Sequence, residues 1–366
     1  MKLSMTWIDR HPWISATLFG VISFCILIVA AECYLQLKNT PGLYEADSEL
    51  GWTAKKNYSG EFRHARLDGR TYLAAVKTDQ QGLRREDADL HPKQLSLLIM
   101  GDSYTMDPFS ANSDMWWAVG RRELERELGW PDGAVSVAAA GAGGYGTLQN
   151  LLLLQRLKLQ KIPAPDIFIL QFCSNDFVNN HREWESSTIT HNQSFLRPYY
   201  QLDGSIKFSE HLIAPLWRIS WIQNSRLFLY LDSRLQGLFY RVLEGYQLPV
   251  ATKREQQFDQ EALRITGLLL RSIRAEVGDL PAFMVNCDST EKGLNRYWAT
   301  LANQAGFIAL EQPANEVLAN TNSNSAALFN ADGGHFSPEG NLVYGKAFAK
   351  ALHPYISGMY GVPVKN

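Results

Sequence analysis

Cysteine is scarce in this chain, 4 of 366 residues, and what there is has no metal-binding spacing: Cys25 and Cys33 lie in and beside an apolar run, while Cys173 and Cys287 stand far downstream. No cofactor or metal site is expected. An excess of one charge is missing too. The formal net charge is −2, with no long run of like charge, so the chain offers no basic field for nucleic acid and none is expected as a partner. Internal repeats and low-complexity tracts are absent, which excludes solenoids and extended disordered linkers. Long hydrophobic runs are limited to one, near the N-terminus.

That run, Trp13 to Ala31, holds 19 residues without a formal charge. As a helix it spans about 28 Å, close to the hydrocarbon thickness of a bilayer. A cleaved signal peptide and a buried core helix are the competing readings. The run exceeds the roughly 7 to 15 apolar residues of a signal sequence, and Ala30-Ala31-Glu32 is a poor small-residue cleavage site, so a retained anchor is favoured. Glu32 before Cys33 also argues against a lipoprotein site. Lys2 and Arg10 precede the span, whereas Glu32, Glu45, Asp47 and Glu49 outnumber Lys38 after it. Basic residues stay on the cytoplasmic side, which puts residues 1–12 in the cytoplasm and the bulk of the chain outside a bacterial inner membrane.

Residues 32–92 carry turn signals among aromatic and polar residues and are expected to form a linker and β-rich collar. A main domain is expected over 93–356, with a short tail at 357–366. Its first strand is Leu95 to Gly101. An amphipathic helix over Asp114 to Leu128, a second strand over Ala134 to Ala140, a helix over Leu148 to Leu159 and a third strand over Asp166 to Cys173 follow. Residues 177–280 are too many for one crossover and are assigned to a helical and hairpin insertion, with a hairpin over Arg197 to Phe208 and helices over Trp217 to Leu243 and Gln256 to Val277. Strands over Pro281 to Asn286 and Phe307 to Leu310 resume the core. A helix over Pro338 to Leu352, capped by Ser337, closes it. The pattern predicts an α/β fold, a flavodoxin-like three-layer sandwich around a parallel sheet. An oxidising compartment permits a disulfide, and Cys173 and Cys287 fall near the ends of two of these strands, though nothing in the sequence makes them meet.

Ser103 lies just past the first strand, in Gly101-Asp102-Ser103, at the sheet edge where α/β folds bind ligands. A helix-capping role is the plain alternative, but Ser113-Asp114 opens the next amphipathic segment well downstream. A serine hydroxyl needs a base, and the base a group to orient it. Of the eight histidines, only His335 has an aspartate three residues earlier, Asp332, with Gly333 and Gly334 between them. Such a tetrapeptide by itself reads rather as an ordinary polar turn before a helix. Position argues for more: Ser103 follows strand one, Gly144 strand two and Asn175 strand three, and the Asp332–His335 pair precedes the last helix. Backbone N–H groups at Ser103 and Gly144 and the Asn175 amide are candidate donors to an oxyanion. Gly146 is a near-equal candidate to Gly144, and Asn175 also reads as a turn residue. The glycine cluster is not a phosphate loop, because the Lys-Ser/Thr ending and the Gly-x-Gly-x-x-Gly spacing are both missing.

In these blocks, Gly101-Asp102-Ser103, Gly144, Asn175-Asp176 and Asp332-Gly333-Gly334-His335, the chain resembles the SGNH/GDSL hydrolases over about Leu95 to Leu352. The resemblance implies Ser103 as nucleophile, His335 as base, Asp332 as its partner, and Ser103, Gly144 and Asn175 as the oxyanion hole. Cys173 departs from the pattern, standing where a glycine is usual. A looser resemblance, in Leu50-Gly51-Trp52, Gly144-Tyr145-Gly146-Thr147, Asn179-Asn180 and Arg197-Pro198-Tyr199-Tyr200, is to membrane-anchored bacterial members associated with extracellular polysaccharide. It implies an acylated, chiefly O-acetylated, carbohydrate or other small ester as substrate, with Trp116, Trp117 or Trp184 as possible sugar platforms beside a core role. O-acetyl transfer with the same triad and a non-catalytic polysaccharide-binding scaffold are the alternatives.

Overall fold

In the computed structural model, the described residues are 12–37, 43–86, 94–106, 108–160, 162–187, 197–208, 222, 225–228, 230–231, 252–288 and 293–361. They fall into two compact units, Met1–Gly42 with Leu212–Gln247, and Leu43–His211 with Leu248–Asn366. Nearly all of the helix expected over Trp217 to Leu243 lies outside the described residues.

The first unit contains α1 (Pro12–Leu37). This helix runs six residues past the uncharged span, is exposed along its apolar length, and by length and composition is able to cross a membrane. Near its end the Glu32 carboxylate accepts hydrogen bonds from the backbone N–H groups of Arg226 and Leu227 and from the Ser225 hydroxyl, each at 2.8–2.9 Å.

The second unit begins with two antiparallel ribbons, β1 (Tyr44–Asp47) with β2 (Gly51–Ala54) and β3 (Ser59–Ala65) with β4 (Thr71–Lys77). The core follows as β5 (Leu95–Gly101), the single turn α2 (Ser103–Met106), α3 (Trp116–Leu128), β6 (Val135–Gly141), α4 (Thr147–Leu159) and β7 (Ile167–Phe172). Two short helices, α5 (Asn175–Asn180) and α6 (Arg182–Ser187), lead to a hairpin of β8 (Pro198–Tyr200) and β9 (Ile206–Phe208). The chain then returns through α7 (Thr252–Val277), β10 (Ala282–Asn286), α8 (Trp298–Ala305), β11 (Ile308–Leu310), α9 (Gln312–Leu328) and α10 (Pro338–Tyr360).

The five core strands are parallel in the order β6-β5-β7-β10-β11, the flavodoxin-like order expected from the sequence. Alternation along each strand sends side chains to two apolar layers. Leu98, Met100, Phe168 and Leu170 pack against α4, α7 and α8. Leu97, Ile99, Val135 and Ile169 pack against α3, α9 and α10. The helix that the sequence placed inside the insertion is thus the crossover from β7 to β10: Ala262, Ile265, Leu269, Leu270 and Ile273 of α7 are buried in the first layer. Ser113 and Asp114 belong to a 3-10 turn, and α3 starts after them at Trp116 with no side-chain cap. At α10 the Ser337 hydroxyl accepts from Gly340 N–H, with Pro338 in the first turn.

Cys173 and Cys287 are joined as a disulfide, their Cα atoms 5.2 Å apart, at the carboxyl ends of the adjacent strands β7 and β10. With 114 residues of separation, the loop-entropy account gives about 4–5 kcal/mol of stabilisation. Urea unfolding of the Cys173→Ser/Cys287→Ser variant should show a loss of that order, and an unshifted midpoint would remove the bond from the stability of the fold.

Candidate active site

β5 ends at Gly101, and the chain turns at once into α2 because Asp102 holds the turn from within. Its buried carboxylate accepts from Tyr104 N–H at 3.0 Å, and its carbonyl accepts from Thr105 and Met106 N–H. Ser103 therefore opens a helical turn standing on the sheet edge. Trp116 and Trp117 hold the turn from below, their indole N–H groups donating to Tyr104 O (3.0 Å) and Thr105 O (3.1 Å). Both indoles are fully buried, which removes them as sugar platforms.

The segment from Phe329 to Phe336 carries Asp332 and His335. Gly333, at φ +73°, makes the tight reversal, and Asn330 closes it by donating to His335 O (2.8 Å) and, from its side chain, to Phe336 O (3.0 Å). Inside this loop His335 Nδ1 lies 2.5 Å from Asp332 Oδ2, while Asp332 Oδ1 accepts from the N–H groups of Gly334 and His335. Burial pushes the Asp332 carboxyl up, yet the His335 ring and these two N–H groups together hold it below the ordinary aspartate range.

Two features bring this pair to Ser103. Tyr104, the next residue, donates its hydroxyl to Gly334 O and sets its ring 5.2 Å from the His335 ring. Phe109, from the loop after α2, stacks on the imidazole at 4.4 Å and 20°. Ser103 and His335 consequently line one small, open cavity, together with Tyr104, Phe109, Met115 and Phe336. The Tyr104 hydroxyl is pushed far above its usual range by burial and by the charges of Asp288, Asp102 and Asp332, so it stays a neutral donor.

The β3–β4 ribbon braces both segments around His335. His64 Nε2 meets Pro108 O at 2.8 Å, and the Tyr72 hydroxyl sits between Phe109 O and Asn330 Oδ1, its single proton serving two acceptors. Ala331 N–H donates to Ala65 O, Leu67 N–H donates to Phe329 O, and Arg66 pairs with Glu339 at the start of α10. Sequence reasoning missed these contacts. Tyr104, Phe109 and Tyr72 act largely through backbone carbonyls or ring faces, which leave no motif.

Gly144 and Asn175 do not line the Ser103–His335 cavity. Gly144 lies in the turn after β6, the strand hydrogen-bonded to β5, at φ +74°. Its N–H finds no acceptor among the described residues, whereas Gly146 N–H is taken by Gln149 Oε1. Asn175 reaches the neighbour of Ser103: Nδ2 donates to Asp102 Oδ2 at 3.1 Å and to Asn179 Oδ1 at 2.9 Å. Both amide protons are thereby engaged, and the amide serves an oxyanion only by giving up one of these acceptors. Asp176 faces away from the cavity, accepting from Cys173 N–H and the Thr147 hydroxyl, and burial together with Asp102 pushes its carboxyl well up. No group of three or more His, Cys, Asp or Glu side chains among the described residues is arranged to hold a metal.

No protein-family model and no curated protein matches the chain. Among solved structures it is similar to LAE5, an α/β hydrolase enzyme from the metagenome of Lake Arreo, Spain, at 14% identity over 71% of this chain and 96% of that one, with a TM-score of 0.37. It is also similar to Axe2, an acetylxylan esterase from Geobacillus stearothermophilus (13% identity, 71% and 94% covered, TM-score 0.37), and to TesA (14%, 71% and 98%, TM-score 0.38). A shared activity does not follow from likeness at this level.

Proposed function

We propose that the chain is a membrane-anchored serine esterase that removes a short acyl group, acetyl above all, from a carbohydrate or other small ester. The observation that carries the reading is the 2.5 Å His335–Asp332 contact in a loop whose imidazole shares one cavity with Ser103. Ser103 Oγ attacks the ester carbonyl and passes its proton to His335 Nε2, while Asp332 holds Nδ1–H and stabilises the imidazolium. The N–H groups of Ser103 and Gly144 receive the developing oxyanion, joined by the Asn175 amide as it gives up Asp102 Oδ2. Collapse expels the alcohol, which takes the proton back from His335, and the imidazole then activates water to release the acid and free Ser103.

The lining supports a short acyl group, since Phe109, Met115 and Phe336 set apolar surface beside Ser103. Hydrolysis is favoured over acetyl transfer by the openness of the base. The His335 and Asp332 side chains retain 26% and 37% of their exposure, so among the described residues water has access to the acyl-enzyme. The exposed apolar helix α1 supports anchoring, and the Cys173–Cys287 bond supports an oxidising, extracytoplasmic side.

Mass spectrometry after treatment with a serine-directed fluorophosphonate tests the assignment. Modification is expected at Ser103 alone and is expected to vanish in His335→Ala. Modification of another serine, or undiminished labelling without His335, would overturn it. Acetate release that requires a polysaccharide acceptor would instead make the protein a transferase.

A further inference from the structure

Two side chains outside the triad converge on the turn that carries Gly144. Trp52 Nε1 donates to Gly143 O at 3.0 Å. That carbonyl and the Gly144 N–H share one trans peptide plane and point in opposite directions, so the indole sets where the N–H aims. Arg197 Nη2 donates to the next carbonyl, Gly144 O, at 2.6 Å, and its guanidinium lies over the Trp52 ring at 4.8 Å. Both peptide planes flanking Gly144 are thus pinned.

Arg197 also reaches the Asn175 amide through a run of buried and half-buried bonds. Its Nε pairs with Glu185 Oε2 at 2.9 Å, with both side chains 5% exposed. Glu185 Oε1 accepts from Asn179 Nδ2 at 3.0 Å, and Asn179 Oδ1 accepts from Asn175 Nδ2. Tyr199 donates to Glu185 Oε2 at 2.6 Å. A buried ion pair adds little stability over an apolar pair of the same volume, so stability alone is a poor reason to bury one here. What the pair does supply is direction, at two separate donors.

We propose that Trp52 and Arg197 are the positioning residues of the oxyanion hole, Trp52 aiming the Gly144 N–H and Arg197 fixing the turn and the Asn175 amide together. The assignment rests on the esterase reading of Ser103. Neither side chain touches substrate.

Trp52→Phe keeps a ring and loses the N–H, and Arg197→Lys keeps the charge but not the fork that spans Gly144 and Glu185. Each is expected to lower kcat on a small acetyl ester by about 10- to 100-fold, short of the loss from deleting an oxyanion donor outright, with KM changed less than about threefold. A boronic acid that forms a tetrahedral adduct on Ser103 should weaken by the same factor as kcat. In Arg197→Ala, added guanidinium should restore kcat and ammonium should not. Folded variants that keep kcat, that lose only KM, or that lose kcat without weakening the boronate would overturn the assignment. Should Arg197→Ala fail to fold, Trp52→Phe and Arg197→Lys decide. A wild type that hydrolyses no ester removes the esterase reading and this assignment together, whereas an active wild type indifferent to Trp52 and Arg197 removes this assignment alone.

Discussion

Ser103→Ala is expected to cut ester hydrolysis by at least about 10⁴-fold with little change in thermal stability. Ser103 lines the same cavity as His335, and among the described residues no hydrogen bond of the turn depends on its hydroxyl. The turn is held instead by Asp102 and by the two buried indoles. Because the proposed mechanism makes nucleophile and base one unit, the Ser103→Ala/His335→Ala double variant should be scarcely worse than either single change. Rates of hydrolysis for the three proteins, each checked by melting temperature, decide the matter. Losses that multiply in the double variant would mean that Ser103 and His335 act independently, and the shared cavity would then have no mechanistic meaning.

Asp332→Asn carries the second large effect, a fall in kcat of about 10³- to 10⁴-fold. The amide accepts where the carboxylate accepted but no longer selects the Nδ1–H tautomer or balances the imidazolium. It also changes stability in a pH-dependent way. A carboxyl whose pKa is lower in the folded protein contributes stability that is fully present above the unfolded value, about 3.9, and is lost as pH falls through the folded one. The stability difference between wild type and Asp332→Asn should accordingly be constant from pH 6 to about pH 5 and close as the solution is acidified below about pH 4. Urea unfolding at a series of pH values measures it. A difference that persists unchanged into acid would mean that the fold does not lower the Asp332 pKa.

The parallel core was legible because its strands are covered on both faces and read as apolar runs. Leu95 to Gly101 appears in the structure with the bounds expected, and the second, third and fourth strands within a residue at each end. Helix α9 was not foreseen. Its asparagines, serines and threonine are weak helix formers, and only the burial of Ala314, Val317 and Leu328 against the sheet explains it. The role of α7 was hidden for another reason. Periodicity shows that a segment is an amphipathic helix, but not which surface its apolar face covers. At the site, Asp332 and His335 were legible as a pair because three residues with two glycines form a local unit. Trp52, Arg197, Tyr72 and Phe109 were not legible in these roles, since Trp52, Tyr72 and Phe109 act on residues at least 37 positions away, and Arg197 reaches Gly144 through a carbonyl of the kind that every residue possesses.

The bracing of the His335 loop by the β3–β4 ribbon couples two stretches of chain some 250 residues apart. Although the ribbon precedes the sheet and shares no ladder with it, it cannot be trimmed away or exchanged for a relative's version as if it were packaging. A chimera would have to carry its own matching 329–336 loop, so the two segments are expected to diversify in step, as a lock and the key cut for it.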